Sequence, residues 1–399
     1  MAKPQLWKLN PMDFTKMTPN RKEKIQAAPA KALPETDSYK PNSLAKALHP
    51  GVQYLKVAKI DEYADAKTFW LEADEEKGTK ALAWFSAGQY LSISLQIGSM
   101  KLTRPYSLSS SPREALAGRY GLTIKRVPDG LASNYILDNW VVGTCVTASE
   151  PLGVFTYEPL RDAKVIIGIA GGSGITPFRS LAKAIADGDE DASMILLYGS
   201  RTLEDALFQE EFKSLEGDKF KLVNVLSHQQ LEGYEHGFIT EELIRKYAPE
   251  GDYSIFLCGP QAMYNFVDQE IAKLGLRKKF IRHELFGEYF NPAKEADYPQ
   301  NVAPTFQVTV RIAGQETTIT ASSDTSLLRS LEAAGIAAPA HCRSGECGWC
   351  HSKLVSGEVY TPKSVDGRRE ADYLYGYIHP CCSFPLSDLV IEVPPMAKI

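Results

Sequence analysis

Seven cysteines are spread over 399 residues, and five of them fall between positions 342 and 382. Cys342, Cys347 and Cys350 share one short loop at C-x4-C-x2-C spacing, and the doublet Cys381-Cys382 lies well downstream. Two irons bridged by sulfide need four thiolates around one small body. A tight loop supplying three, with a distant segment closing the cage, matches the plant-type [2Fe–2S] pattern. Gly345 and Gly348 suit such a loop, because glycine takes positive φ readily and lets backbone N–H groups turn toward sulfur. The competing chemistry is a structural zinc site. Zinc sites usually pair two short knuckles, which the long first step from Cys342 to Cys347 does not match.

Five further clusters of residues are suited to holding anionic or aromatic ligands. In Arg104-Pro105-Tyr106-Ser107 a guanidinium can hold a pyrophosphate bidentately while an aromatic ring lies against a flat heterocycle. Gly130-Leu131-Ala132-Ser133 opens a short helix whose free N–H groups and hydroxyl suit phosphate. Gly171-Gly172-Ser173-Gly174-Ile175-Thr176-Pro177 follows an apolar run and starts a helix, a second place for phosphate against backbone amides. It is not the G-x-G-x-x-G fingerprint, so its weight comes from its place at the carboxyl end of a strand. Ser200-Arg201 ends a later strand of the same region, where a ribose or a 2′-phosphate would lie, and Cys258-Gly259-Pro260 ends another, with its thiol at the crevice. Taken alone, Cys258 reads as a buried core thiol.

The elements that must carry these residues are legible in the periodicity. Residues 52–60, 68–72, 90–95, 122–126 and 144–149 alternate or run β-branched and aromatic between Gly, Pro and Asp turns, which predicts an antiparallel barrel. From residue 164 the pattern becomes continuous apolar runs (164–170, 194–198, 220–225, 253–257) separated by helix-period segments, which predicts a parallel α/β sheet. A polar, proline-bearing linker begins near residue 291. Beyond it, a hairpin around Ala313-Gly314, a helix over 326–334 capped by Asp324 or Ser326, the cysteine loop and a closing strand at 389–393 form a compact unit. The fold class is thus multidomain α/β plus all-β. Its parts are an extension over 1–50, an antiparallel β-barrel over 51–158, a parallel α/β domain over 159–290, a linker over 291–304 and a small metal domain over 305–399.

Composition excludes several classes. The formal charge of −5 gives no global signature of nucleic-acid binding, and no run approaches the roughly 18 apolar residues of a membrane span. The first residues lack the apolar core of a secretory signal. Cysteine usage suits a reducing cytoplasm rather than a disulfide framework. Residues 1–31 are basic and proline-punctuated, which suits an arm packed across a later domain or a docking arm for an acidic partner.

Taken in order, Arg104-x-Tyr106-Ser107, Gly130-x-x-Ser133, Gly171-Gly172-x-Gly174-x-Thr176-Pro177, Cys258-Gly259-Pro260 and Glu284-x-Phe286 resemble the ferredoxin–NADP reductase superfamily. With the cysteine loop, residues 52–395 resemble NAD(P)H-dependent oxygenase reductases with a C-terminal plant-type ferredoxin domain of β-grasp fold. The resemblance implies electron flow from NADH or NADPH through FAD and a [2Fe–2S] cluster to a partner redox protein such as an oxygenase. The alternatives are direct reduction of small molecules or quinones, and a place as the electron-input subunit of a larger complex. It implies that Arg104, Pro105, Tyr106, Ser107, Gly130 and Ser133 hold the flavin. Gly171, Gly172, Gly174, Thr176, Pro177, Ser200, Arg201, Gly259 and Pro260 would hold the nucleotide. Ser107 and Cys258 would flank the reacting atoms, with the catalytic candidate Glu284 and Phe286 as an acidic and aromatic pair behind the ring, although Glu284 also reads as an ordinary loop glutamate. The serine-rich run after Arg104 favours FAD over FMN, and Phe208, where NADPH-preferring relatives often carry tyrosine, favours NADH. Aligning Cys381-Cys382-Ser383 with the family's closing segment makes Cys381 the fourth metal ligand. Arg343 and Trp349 beside the cluster are expected to touch the partner, to touch the flavin domain, or simply to pack the loop.

Overall fold

Six strands, β1 (Val52–Glu62), β2 (Ala66–Ala73), β3 (Tyr90–Ile97), β4 (Met100–Ser107), β5 (Tyr120–Lys125) and β6 (Cys145–Ser149), form an antiparallel sheet in the order β4-β3-β6-β1-β2-β5. It curls until its two edges meet at a single bridge between Leu108 and Leu122. Leu55, Val57, Phe69, Leu71, Leu91 and Ile93 fill the inside, one face of each strand, as period-two patterning requires. The helix Leu131–Asn139 follows β5, and Gly130 stands at its N-cap without a side-chain capping bond.

The second sheet is parallel throughout. Strands β7 (Val165–Gly171), β8 (Ser193–Ser200), β9 (Phe220–Leu226), β10 (Glu235–His236), β11 (Ser254–Cys258) and β12 (Ile281–Glu284) lie in the order β10-β9-β8-β7-β11-β12. The apolar run of β7 is explained by burial on both faces. Ile166 and Ala170 join one core while Ile167 and Ile169 join the other. From β7 the chain winds outward to β8 and β9, then returns to place β11 on the opposite side. The crevice at this reversal lies beyond the carboxyl ends of β7 and β11. The sequence did not mark β12 as a strand, since its four residues include Arg282, His283 and Glu284.

The third sheet joins β13 (Thr305–Ile312), β14 (Gln315–Ser322), β15 (Ser352–Ser356), β17 (Tyr377–Ile378) and β19 (Leu389–Glu392) in the order β14-β13-β19-β15-β17. Two short strands, β16 (Val359–Tyr360) and β18 (Phe384–Pro385), pair separately. The predicted hairpin turns at Ala313 and Gly314, both at positive φ, the geometry that matches strand twist. The helix Leu327–Ala333 is capped by Ser326 and buries Leu327 and Leu331 against Val308, Val310 and Ile391.

This computed structural model describes residues 39–285 and 287–396, together with residues 23, 26 and 27. Residues 1–47 separate from 48–399 as a unit of their own, which includes most of the helix Lys40–Leu48. The expected basic arm falls largely outside the described residues, as does Phe286. No helix among the described residues is long and apolar enough to cross a membrane.

Candidate functional site

The loop from Cys342 to Cys350 gathers its thiols against the segment after β17. The Cys350 and Cys381 sulfurs are 3.4 Å apart, and the Cys347 thiol hydrogen-bonds to Cys342. The four thiols therefore come as two pairs. Backbone amides turn toward them: Ser344 N and Cys347 N lie 3.5 and 3.3 Å from Cys342 Sγ, and Trp349 N lies 3.5 Å from Cys347 Sγ. The Cys347 bond and these amides hold the Cys342 thiol well below the ordinary thiol range despite burial. Amide dipoles aimed at sulfur stabilise thiolate, so this donor set fits a two-iron cluster carrying negative charge. Gly345 is required here: its φ is +85°, and a Cβ would sit 2.0 Å from the Val365 carbonyl oxygen and 2.9 Å from Cys382 Sγ. The Cys382 thiol faces the His379 carbonyl at 3.5 Å.

Beside the cage opens a cavity of about 900 Å³, lined among others by Arg104, Pro105, Tyr106, Ser107, Gly130 and Ser133. Ser173 and Thr176 from the parallel domain and Arg343 from the cysteine loop also reach it. The Ser107 hydroxyl is buried and has no hydrogen-bond partner. With the uncapped helix start at Gly130, it leaves polar groups wanting a ligand in a space of cofactor size. These residues fit a flavin.

The crevice of the parallel sheet lies alongside. Register places Cys258 between Ala170 and Glu284 on neighbouring strands. Glu284 is buried and its Oε2 has no partner. Burial first, then the negative neighbours Glu346 and Cys342, push its carboxyl well above the usual range. Burial likewise pushes the Cys258 thiol up. Tyr90, paired with Ser107 across β3 and β4, lies against Gly153, whose Cβ position is 3.8 Å from Glu284 Oε2. Ser107 of the barrel and Glu284 of the parallel sheet thus face one neighbourhood.

The glycines of this crevice divide by cause. A Cβ on Gly174 would lie 2.2 Å from the Cys258 carbonyl oxygen, and one on Gly171 would lie 2.3 Å from the Met263 sulfur, so both are close-packing positions. Gly172 faces open space at φ +53° and is the one free to admit a ligand. Gly259 also lies under Met263. Pro177 is in the first turn of the helix Thr176–Ala186, and Pro260 caps the helix Gln261–Ala272. The Ser200 hydroxyl is turned into its own loop, donating to the Thr202 carbonyl at 2.9 Å, while Arg201 is exposed. Phe208 is buried against Tyr63 and Phe212, so it is a core residue and does not itself present a face to a nucleotide.

Comparison with known proteins finds three families along the chain. Residues 57–157 match the oxidoreductase FAD-binding domain family, 169–269 the oxidoreductase NAD-binding domain family and 310–386 the 2Fe-2S iron-sulfur cluster binding domain family. The ferredoxin reductase component of 3-ketosteroid-9-alpha-monooxygenase from Mycobacterium tuberculosis is 32% identical over 318 residues, 77% of this chain and 84% of that protein. The chain belongs to the ferredoxin–NADP reductase superfamily, in the branch with a C-terminal [2Fe–2S] domain. The reductase is also 29% identical to NADH oxidoreductase HCR of Escherichia coli over 307 residues, 77% of this chain and 88% of that one. Phthalate dioxygenase reductase, described as a modular structure for electron transfer from pyridine nucleotides to [2Fe-2S], superposes with a TM-score of 0.63 at 27% identity. It covers 86% of this chain and 98% of its own. The reductase is therefore an oxidoreductase that uses FAD, a pyridine nucleotide and a [2Fe–2S] cluster.

Sequence reasoning missed two residues of the junction, Glu288 and Glu332. Arg343 is fully buried and bonds both carboxylates as well as the Thr103 carbonyl on β4. Of the roles foreseen for Arg343, contact with the flavin domain is the one present. No spacing signal links these acids, which lie 44 positions apart in an ordinary acidic background.

Proposed function

We propose that this reductase supplies single electrons from NADH to a partner redox protein of the oxygenase class, in the cytoplasm. The observation that carries the reading is β4. One end of this strand bears Arg104 to Ser107 on the cavity, and its Thr103 hydroxyl donates to the Ala340 carbonyl beside the cysteine loop at 2.7 Å. The site that takes electrons and the loop that passes them on share one strand. Support for NADH and for an oxygenase partner comes from relatives, among them an NADH oxidoreductase and monooxygenase reductase components. The cysteine usage supports the compartment.

Bound FAD supplies the exchange between a two-electron donor and single-electron transfer, and the bound cluster supplies the one-electron carrier. The chain's own residues do the rest. Cys342 with Cys347, and Cys350 with Cys381, hold the metals. Arg104, Ser133 and the amides after Gly130 bind flavin phosphate, while Pro105 and Tyr106 wall the ring and Ser107 offers its unpartnered hydroxyl. Gly171, Gly172, Gly174, Thr176 and Pro177 form the nucleotide turn, with Ser200, Arg201, Gly259 and Pro260 at its rim. Cys258 fills the crevice floor, and Glu284, its carboxyl pushed up by burial, faces it. The domain borders follow as 51–158, 159–290 and 305–399, with 291–304 as linker and 1–50 as an extension.

Anaerobic titration of the purified holoprotein tests this. NADH is expected to bleach the flavin and then the cluster absorption, and NADPH to do so with a much higher KM. A cluster that stays oxidised while the flavin is reduced would remove the reading.

A further inference from the structure

The junction between the cysteine loop and the flavin strand is an alternating set of charges. Arg343, the residue after Cys342, has a fully buried side chain. Its guanidinium meets Glu332 through two nitrogens at 2.6 and 2.8 Å and Glu288 through Nε at 2.8 Å. Both carboxylates then reach Arg104, at 3.7 Å each. Arg329 adds a third cation, 3.4 Å from Glu288. Glu332 sits on the helix of the iron–sulfur domain, Glu288 on the chain leaving β12, and Arg104 on β4, so the set ties all three domains together. A separate tie runs from the Thr103 hydroxyl to Ala340, two residues before Cys342. Cys342 is thus pinned on both sides, through Ala340 and Arg343, to adjacent residues of the strand that bears the flavin motif.

We propose that Glu288, Glu332 and Arg343 form a latch that fixes the iron–sulfur domain against β4 at electron-transfer distance from the flavin. Three features set this apart from ordinary loop packing. The bonds from Arg343 to Glu288 and to the Thr103 carbonyl, and from Glu332 to Arg104, cross domain borders rather than closing within the cysteine loop. The carboxylates are shared between a cation next to a metal ligand and a cation of the flavin site. Arg343 adopts φ +63°, an uncommon conformation for a residue with a side chain, and this directs the group out of the loop toward the junction. Three cations face two carboxylates, so the set carries a net positive charge. These are positioning residues. They act through the placement of Cys342 relative to the flavin, and the rate of electron transfer falls exponentially as the two centres move apart.

The inference rests on the proposed flow of electrons from flavin to cluster, and the test separates the two. Full-length holoprotein carrying Glu332→Gln, and separately Thr103→Val, is mixed with NADH while flavin and cluster absorption are followed in time. Cofactor content, cluster potential and the electron paramagnetic resonance spectrum of the reduced cluster are recorded alongside. The expected result is an unchanged flavin-reduction phase and an unchanged cluster spectrum and potential. The cluster-reduction phase should be slower by several-fold in Glu332→Gln and by less in Thr103→Val. Glu332→Asp, which keeps the charge, should recover part of the rate. If Glu332→Gln fails to load its cluster, Glu288→Gln, which removes the other carboxylate of the latch, carries the test. Wild-type rates of cluster reduction in fully loaded variants would overturn the latch. A wild-type protein that never reduces its cluster would instead overturn the electron path beneath it.

Discussion

At the scale of single residues, the cysteine doublet poses the sharpest question, because neighbouring thiols differ in role. Cys381 Sγ lies 3.4 Å from Cys350 Sγ, whereas the Cys382 thiol faces the His379 carbonyl and lies over Gly345. Cys381→Ser should therefore abolish the cluster's visible absorption, while Cys382→Ser should retain it; the reverse pattern would move the fourth ligand to Cys382. Glu284 gives a second prediction, with a sign. Its carboxyl is pushed up by burial and by negative neighbours, so the folded state keeps a proton that the unfolded chain releases. Stability should accordingly fall as pH rises from the ordinary carboxylate range toward the folded value, with a slope no steeper than about 1.4 kcal/mol per pH unit. Glu284→Gln, which stays neutral, should flatten that fall in thermal unfolding from mildly acidic to mildly alkaline pH. An unaltered slope would mean that another group carries it.

At the scale of elements, the turn after β7 separates two meanings of glycine. A methyl on Gly174 meets only backbone, namely the carbonyl of Cys258 and the amide of Gly259, and neither strand end can retreat without disturbing the sheet. Gly174→Ala should cost about 3 kcal/mol or more of stability and raise the KM for NADH. Gly172→Ala meets nothing within 4 Å and carries only the strain of its positive φ, about 1–2 kcal/mol. Equal losses for the two variants in chemical denaturation would refute the distinction. The sequence made this turn visible as a glycine cluster after an apolar run, but not which glycine served which purpose, since that depends on Cys258 and Met263, more than eighty residues away. The same reason hid β12, whose apolar content is too small for a periodic signal and whose place comes from pairing with β11. By contrast, the gathering of Cys342, Cys347, Cys350 and Cys381 was legible, because its constraint is local spacing plus one return segment. The surroundings of Phe208 were likewise hidden, because its ring packs on Tyr63 and Phe212 and beneath the Arg179 guanidinium, partners distant in the sequence or on another element.

At the scale of the whole molecule, two buried arginines join the domains. Arg343 closes the iron–sulfur side, and Arg179 closes the side between the barrel and the parallel sheet. Arg179 stands on the helix that begins at Thr176 and meets Glu211 through two bonds of 2.7 Å within its own domain. Across the border it reaches the Ser109 carbonyl and Glu114, and its guanidinium lies 5.6 Å from the Trp70 ring centroid. Ser109 is two residues past Ser107, so one guanidinium connects the helix at the nucleotide turn to the strand end that faces the flavin. Arg179→Met would leave Glu114 and Glu211 with Lys183 as their remaining cation, at 3.5 and 3.4 Å. Removing one member of such a buried set costs about 3–5 kcal/mol, mostly from the charges left behind. Because the lost bonds span the border, the expected functional effect is on the mutual placement of nicotinamide and flavin rather than on the nucleotide's own contacts. The rate of flavin reduction at saturating NADH should fall about tenfold or more while the KM changes little. A raised KM with an unchanged rate would instead assign Arg179 to nucleotide binding. The double variant Arg179→Met/Glu211→Gln discriminates further, since removing a stranded charge should return part of the stability without restoring the rate.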